Sequence, residues 1–452
     1  MSRVIRVGIV VAIALLCPAL ASAQQAAGVE VKADNVLRIK RYQGLAGPLA
    51  KAWVAEATAK LPADLARLSD KRKISLNRLE KAIAEKLAAG KDISDEMRFL
   101  AGLTRVENVF FFPGSNDIVI AGPAEGFAAD PSGRVIGIVS GRATVQLEDL
   151  VTALRAYPPG TDTRAEVIGC SIDPTQEGLT KMASYFTAAS KGFDPRNTEK
   201  LAAGMKENLG LQNVTIKGIS PKSHFAQVLV EADYRMKLIG IGLETPPAKI
   251  TSYVSKAKPG AAASNALQRW YFQPNYECVR VTEDHLAMEL VGEGVKLSGQ
   301  SEVVGADGSR GAAGSKDPAS SAFTTSFTEQ YPALAAKVPV YAQMRNLIDL
   351  SIAAAFIQEQ DYYGKSGWKA TVLMDEKQLA VEIYEEPKQV ESAVNAIWRG
   401  NKLMTPIGGG VNIRPRNALM AENLLKDEQG ELKAKREAVK VEGLADSQWW
   451  WD

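Results

Sequence analysis

Apolar positions recur every three to four residues early in the chain, at Leu45, Leu49, Trp53 and Val54 and again at Leu76, Leu79, Ile83 and Leu87. That spacing lines one face of a helix. Ala, Leu, Lys and Glu dominate and breakers are few, so residues 24–101 are predicted to form a helical N-terminal module. Asp92-Ile93-Ser94-Asp95-Glu96 opens its last short helix, which runs through Leu100.

The pattern changes at Leu103. Val106 to Phe112 and Asp117 to Ala121 are β-rich runs split by Pro113-Gly114-Ser115-Asn116, which predicts a hairpin, and Arg134 to Val139 adds a strand. Leu147 to Tyr157 is an amphipathic helix stopped by Pro158-Pro159-Gly160, and Ala165 to Ile172 is a strand running into a helix start at Asp173-Pro174-Thr175. Helices at Gln176 to Ala188 and Asn197 to Leu209 precede a short strand at Val214 to Gly218. Phe225 to Ile239 is apolar enough to be a buried helix or strand. Strands alternating with helices predict an α/β layer domain over residues 102–247.

Pro246-Pro247 and the Ala, Gly, Pro and Lys content of 256–264 mark residues 248–265 as a linker. Beyond it the period shifts toward two. Strands at Trp270 to Phe272, Glu277 to Thr282, Leu286 to Leu290 and Gly294 to Leu297 predict an antiparallel meander within an α+β domain at 266–413. Helices follow at Ser321 to Gln330 and Pro339 to Gln360, then strands near Lys369 to Met374 and Leu379 to Tyr384. Gly408-Gly409-Gly410 reads as a turn. Residues 414–452 form a charged tail ending in Trp449-Trp450-Trp451. The predicted fold class is therefore mixed α/β and α+β.

Of the 452 residues, 46% are hydrophobic and 23% charged, a globular balance that excludes wholesale disorder. Arg3 and Arg6, the apolar run Val7 to Leu16 and Ala21-Ser22-Ala23 read as a secretory signal over residues 1–23, with a mature start at Gln24. Removing it leaves 52 basic against 52 acidic side chains. With no basic block, nucleic acid is not an expected partner, and no later apolar run is long enough to span a bilayer. The expected location is periplasmic or extracellular.

Candidate chemistry is sparse. No phosphate loop, zinc spacing or EF-hand loop occurs, so no cofactor or metal is expected. Ile168-Gly169-Cys170-Ser171 ends a strand on two nucleophiles just before a helix, where a thiol pKa falls and backbone N–H groups can hold an oxyanion. His224 as base, oriented by Asp233 or Glu231, would complete a thiol or serine hydrolase. Against it stand two plainer readings of Cys170: packing at a strand end, or a disulfide with Cys278 in an oxidising compartment. The charges Glu231, Asp233, Arg235 and Lys237, interleaved with apolar residues, are expected to pair at a core edge. A tryptophan cluster on a charged tail cannot bury itself locally, so Trp449, Trp450 and Trp451 are expected to dock on this chain or on a partner.

Together, Ile118 to Gly126 as IVIAGPAEG, Ile168 to Leu179 as IGCSIDPTQEGL, Ser223 to Glu244 as SHFAQVLVEADYRMKLIGIGLE, and Gln268-Arg269-Trp270 with Phe272 resemble an exported planctomycete family. This is the domain-of-unknown-function family numbered fifteen-ninety-eight. The likeness spans roughly residues 100–413. It implies an extracytoplasmic bacterial protein and no particular reaction, so no residue takes a catalytic role from it. Composition and motifs point to a non-enzymatic binding or assembly protein of the cell envelope, with an envelope protein as its partner. The alternative is a hydrolase using Cys170 or Ser171 with His224.

Overall fold

The computed structural model describes residues 26–452 apart from 46, 161–163, 190, 192–193, 258–265, 305–309, 313–316 and 396–406. The signal segment 1–23 and residues 258–265 of the expected linker lie outside the described residues. Two large sheets and their helices make a mixed α and β fold. The nine-stranded sheet runs in the order Ala26–Val31, Val36–Tyr42, Gln389–Glu391, Leu211–Lys217, Ile168–Pro174, Ile407–Ile413, Ala266–Pro274, Val295–Val304 and Arg310–Ala312. The seven-stranded sheet runs Leu424–Lys426, Val279–Val281, Ala287–Leu290, Asn108–Phe112, Asp117–Ala124, Ser69–Ser75 and Trp450–Trp451. Both sheets are mixed: Ala266–Pro274 pairs parallel with Ile407–Ile413, and Val279–Val281 parallel with Leu424–Lys426. Each draws strands from widely separated stretches of sequence.

The expected hairpin forms, with Phe112 opposite Asp117 and Asn116 at φ 57° in the turn. The helical N-terminal module does not. Ala26–Val31 and Val36–Tyr42 pair as a hairpin at the edge of the large sheet, and Ser69–Ser75 joins the other sheet beside Asp117–Ala124. Helices are present at Gly47–Lys60 and Leu76–Ala88, and the latter buries Leu76, Leu79 and Ile83 as its periodicity predicts. The stripe from Leu45 to Val54 faces no core: Leu49 is 69% exposed. Charge-rich Ser69-Asp70-Lys71-Arg72-Lys73-Ile74-Ser75 has no apolar alternation to announce a strand. What places it is a set of partners far away in sequence.

Those partners are the end of the chain. Trp450 and Trp451 pair with Ile74 and Lys73, and the Ser75 amide donates to the Trp449 carbonyl at 2.9 Å. Trp449 and Trp451 are buried, the latter among Phe110, Val119 and Leu432. Arg72 is wholly buried beneath them. It donates Nε to one Asp452 carboxylate oxygen at 2.8 Å and Nη2 to the other at 3.0 Å, gives Nη1 to the Ala101 carbonyl at 2.6 Å, and stacks on the Trp450 ring at 4.5 Å. Burial would raise the Asp452 carboxyl, yet Arg72 and Arg67 hold it well below the usual range. The tryptophans therefore dock on this chain, which corrects their reading as a partner-binding tail.

Two further expectations change. Gly408-Gly409-Gly410 is a strand, not a turn, because a Cβ at Gly409 would lie 1.9 Å from the Trp270 carbonyl oxygen and one at Gly410 2.0 Å from that of Cys170. Lys369 to Met374 and Leu379 to Tyr384 are not strands. Carboxylates take their amides: Glu80 accepts from Val372 at 2.6 Å and Leu373 at 3.1 Å, and Glu376 accepts from Val381 at 3.0 Å and Glu382 at 2.9 Å. A backbone satisfied by side chains forms turns instead of a ladder.

At the centre lies the helix His224–Gly240, capped by the Ser223 hydroxyl, which accepts from Ala226 N–H at 3.1 Å. One side packs on the Ile168–Pro174 and Ile407–Ile413 strands, the other on the helices Leu147–Ala156 and Pro339–Glu359. Its charges are buried and paired as expected. Glu231 meets Arg134 and Arg235, Arg235 also reaches Glu244 at 2.7 Å, and Lys237 holds Asp233 at 2.7 Å.

Deleting Trp449–Asp452 leaves Arg72 buried without its carboxylate, and is expected to lower the unfolding free energy by about 3–5 kcal/mol. Urea denaturation reads this directly. An unchanged midpoint would mean that the tail rests on the sheet without supporting it.

Candidate functional site

Glu148 and Asp149 occupy the first turn of the helix Leu147–Ala156, where the backbone dipole favours carboxylates. His224 is the first residue of the central helix. These two helices pack together, so their first turns meet. His224 Nδ1 lies 3.0 Å from both oxygens of Asp149, whose side chain is 5% exposed. Tyr384 donates its hydroxyl to Glu148 Oε1 at 2.8 Å, and its ring centroid stands 5.8 Å from the imidazole.

The segment bearing Tyr384 is held from three sides. Its amide donates to the Lys222 carbonyl at 3.0 Å, just before the central helix. Arg155, from the helix that carries Glu148, gives Nε to the Leu373 carbonyl at 2.8 Å and Nη2 to that of Leu379 at 2.9 Å, and pairs with Glu376. On the opposite wall Arg134 is fixed by Glu231 and by the Ala27 carbonyl. Between these walls opens a cleft of about 410 Å³ whose lining includes Arg98, Arg134, Glu148, His224, Gln227 and Tyr384. That size suits a small molecule.

Burial disfavours the charged imidazole, but Asp149 and Glu148 outweigh it and raise the His224 pKa to about 9. His224 is therefore an imidazolium at neutral pH. Burial, with Asp149 beside it, lifts Glu148 above its ordinary range against the pull of His224, and burial lifts the Tyr384 hydroxyl too. A cluster of shifted groups lining a cleft marks a candidate functional site. Chemically it offers one anchored imidazolium proton donor, one tyrosine hydroxyl and one carboxyl group.

The residues proposed from sequence do not assemble around His224. Asp233 lies nine residues further along the same helix, about 13 Å of rise away, and binds Lys237. The partner that orients His224 is Asp149, and neither Asp233 nor Glu231 fills that role. Cys170 is buried on the Ile168–Pro174 strand, where burial and then Asp233 drive its thiol far above the usual range, an environment that suits a packing thiol and disfavours the thiolate a nucleophile needs. Ser171 is half-buried, and strand alternation turns it to the face opposite Cys170. The disulfide reading is corrected as well. Cys170 sits in the nine-stranded sheet and Cys278 just before a strand of the other, and both thiols are free. Burial pushes Cys278 up to about 12. Among the described residues no cluster of three or more acids, histidines or cysteines could hold a metal ion.

Sequence reasoning missed Asp149, Glu148, Tyr384, Arg98 and Arg134. The acidic pair in a predicted helix's first turn was a usable signal. Tyr384 sat in a stretch read as a strand, and nothing local connects it to residue 148.

Two measurements test this description. A thiol reagent applied to the native protein is expected to label neither Cys170 nor Cys278, and to label both in denaturant. NMR titration is expected to place His224 near pKa 9, falling toward the ordinary 6.5 in Asp149→Asn. Because the folded pKa exceeds the unfolded one, the pair's stabilisation is complete below about pH 6.5 and is lost as pH rises through about 9. That decline, a few kcal/mol at most, should vanish in Asp149→Asn.

No curated protein and no solved structure matches the chain. Residues 170–253, a segment running from Cys170 through the whole central helix and so including His224, match the model of a family described as a protein of unknown function, DUF1598.

Proposed function

We propose that the protein is an exported, non-enzymatic binding protein of the cell envelope whose ligand site is the cleft at His224. The observation that carries this reading is the anchored imidazole: Asp149 fixes Nδ1 while the ring lines a cleft large enough for a small molecule. The burial of Cys170 and the distance of Asp233 from His224 favour binding over a thiol hydrolase. The tail's docking on Arg72 moves the interaction surface away from the tryptophans. Export rests on the basic, apolar and small-residue order of residues 1–23. Among the described residues no helix is long and apolar enough to cross a membrane.

Thermal unfolding with a panel of small metabolites tests the reading. A ligand at a hundred times its Kd stabilises by about 2.7 kcal/mol, so at least one compound class should raise the Tm. Tyr384→Phe, which removes only the hydroxyl, should weaken that response several-fold. A panel without effect on the wild type, or an effect untouched by Tyr384→Phe, would count against the cleft. Intact mass of the secreted chain should begin at Gln24, and retention of residues 1–23 would oppose export.

A further inference from the structure

We infer that the cleft takes a small organic monoanion, its head on His224 Nε2 and the Arg98 guanidinium and its apolar body along Ile93, Phe99, Val381 and Ile383. The inference rests on the ligand-binding reading above and names the ligand's chemical class.

Two donors in the cleft lack acceptors. With Nδ1 on Asp149, His224 Nε2 has no hydrogen-bond partner among the described residues and is not enclosed by protein. Arg98 gives Nε to the Ile93 carbonyl at 3.3 Å, and among the described residues no carboxylate lies within ion-pairing distance of it. The neighbouring acids, in contrast, are engaged: Asp149 by His224, Glu148 by the Tyr384 hydroxyl, and Glu231 by Arg134 and Arg235. His224 Nε2 and the terminal nitrogens of Arg98 are therefore left as donors that line one cleft without an acceptor among the described residues. An anionic group there completes both donors, and guanidinium and imidazolium together suit a carboxylate or sulfonate.

The number of charges is limited by the same residues. Glu148 lines the same cleft, so a second negative charge on the ligand would meet a carboxyl group instead of another donor. Part of the wall is apolar. Val381 is buried, Ile93 and Phe99 are half-buried, and Ile383 is 68% exposed, a large aliphatic side chain at the rim. An inorganic anion would leave that surface uncovered, whereas a ligand with an apolar body would take it out of water.

A matched pair of dyes tests the class. 1-Anilinonaphthalene-8-sulfonate and N-phenyl-1-naphthylamine share one aromatic body, and only the first carries an anion. Fluorescence titration of the full mature chain is expected to show one site for the sulfonate, with the neutral dye about ten-fold weaker or more. Arg98→Gln, at an exposed position that leaves the fold intact, should weaken the sulfonate about ten-fold and leave the neutral dye unchanged. Ile383→Asp should weaken both. Equal affinity of the two dyes, or a sulfonate indifferent to Arg98→Gln, overturns the anion class while the cleft stands as a ligand site. Absence of binding by either dye, or binding indifferent to Ile383→Asp, removes the cleft as the site and the proposed function with it.

Discussion

A charge carried into a protein interior must find its counter-charge there, because water is no longer available to solvate it. The helix His224–Gly240 carries four such charges through the centre of this molecule, and the surrounding architecture answers them. Glu231 draws in Arg134 from the segment after the hairpin, and Arg235 reaches Glu244 beyond the helix end. Lys237 and Asp233 neutralise each other beneath the strand that bears Cys170. Burial still lifts Asp233 to about 6 despite Lys237, a measure of how dry this position is. An acid committed to a buried lysine does not orient an imidazole at the other end of the helix, so Asp233 is not the partner expected for His224.

The cleft is a by-product of this arrangement. Arg134 lines it because Glu231 and the Ala27 carbonyl hold it there, and His224 lines it because Ser223 starts the helix at that point. The opposite wall is fixed in a different way. Arg155 and Glu376 gather the carbonyls and amides of residues 373–382 into turns, which brings Tyr384 over Glu148. Rigid pieces thus surround donors that have no internal acceptor. A site whose polar groups are prepositioned loses less entropy when a ligand arrives.

The C-terminal residues are organised by another buried charge. Arg72 would destabilise the sheet if left alone, and Asp452, Trp450 and the Ala101 carbonyl together satisfy and cover it. This contact joins residues 380 positions apart, and it makes a strand out of a sequence with four charges in seven residues.

Local pattern was sufficient wherever an element's reason for forming lies within itself. The hairpin around Pro113 to Asn116, the helix beginning at Leu147, the stripe of Leu76, Leu79 and Ile83, and the need for Glu231 to Lys237 to pair were all legible, because turn geometry, helical period and desolvation act over a few residues. Tertiary structure decided the rest. Ala26–Val31 and Ser69–Ser75 became strands through distant partners, Gly408 to Gly410 a strand because two backbones press against it, and the tryptophans a sheet edge because Arg72 waited there. Of the candidate site, His224 alone was visible. Its Asp149, Glu148 and Tyr384 were not, since which carboxylate faces an imidazole is set by how two helices pack and where a loop is tied, and neither leaves a trace in the spacing of residues along the chain.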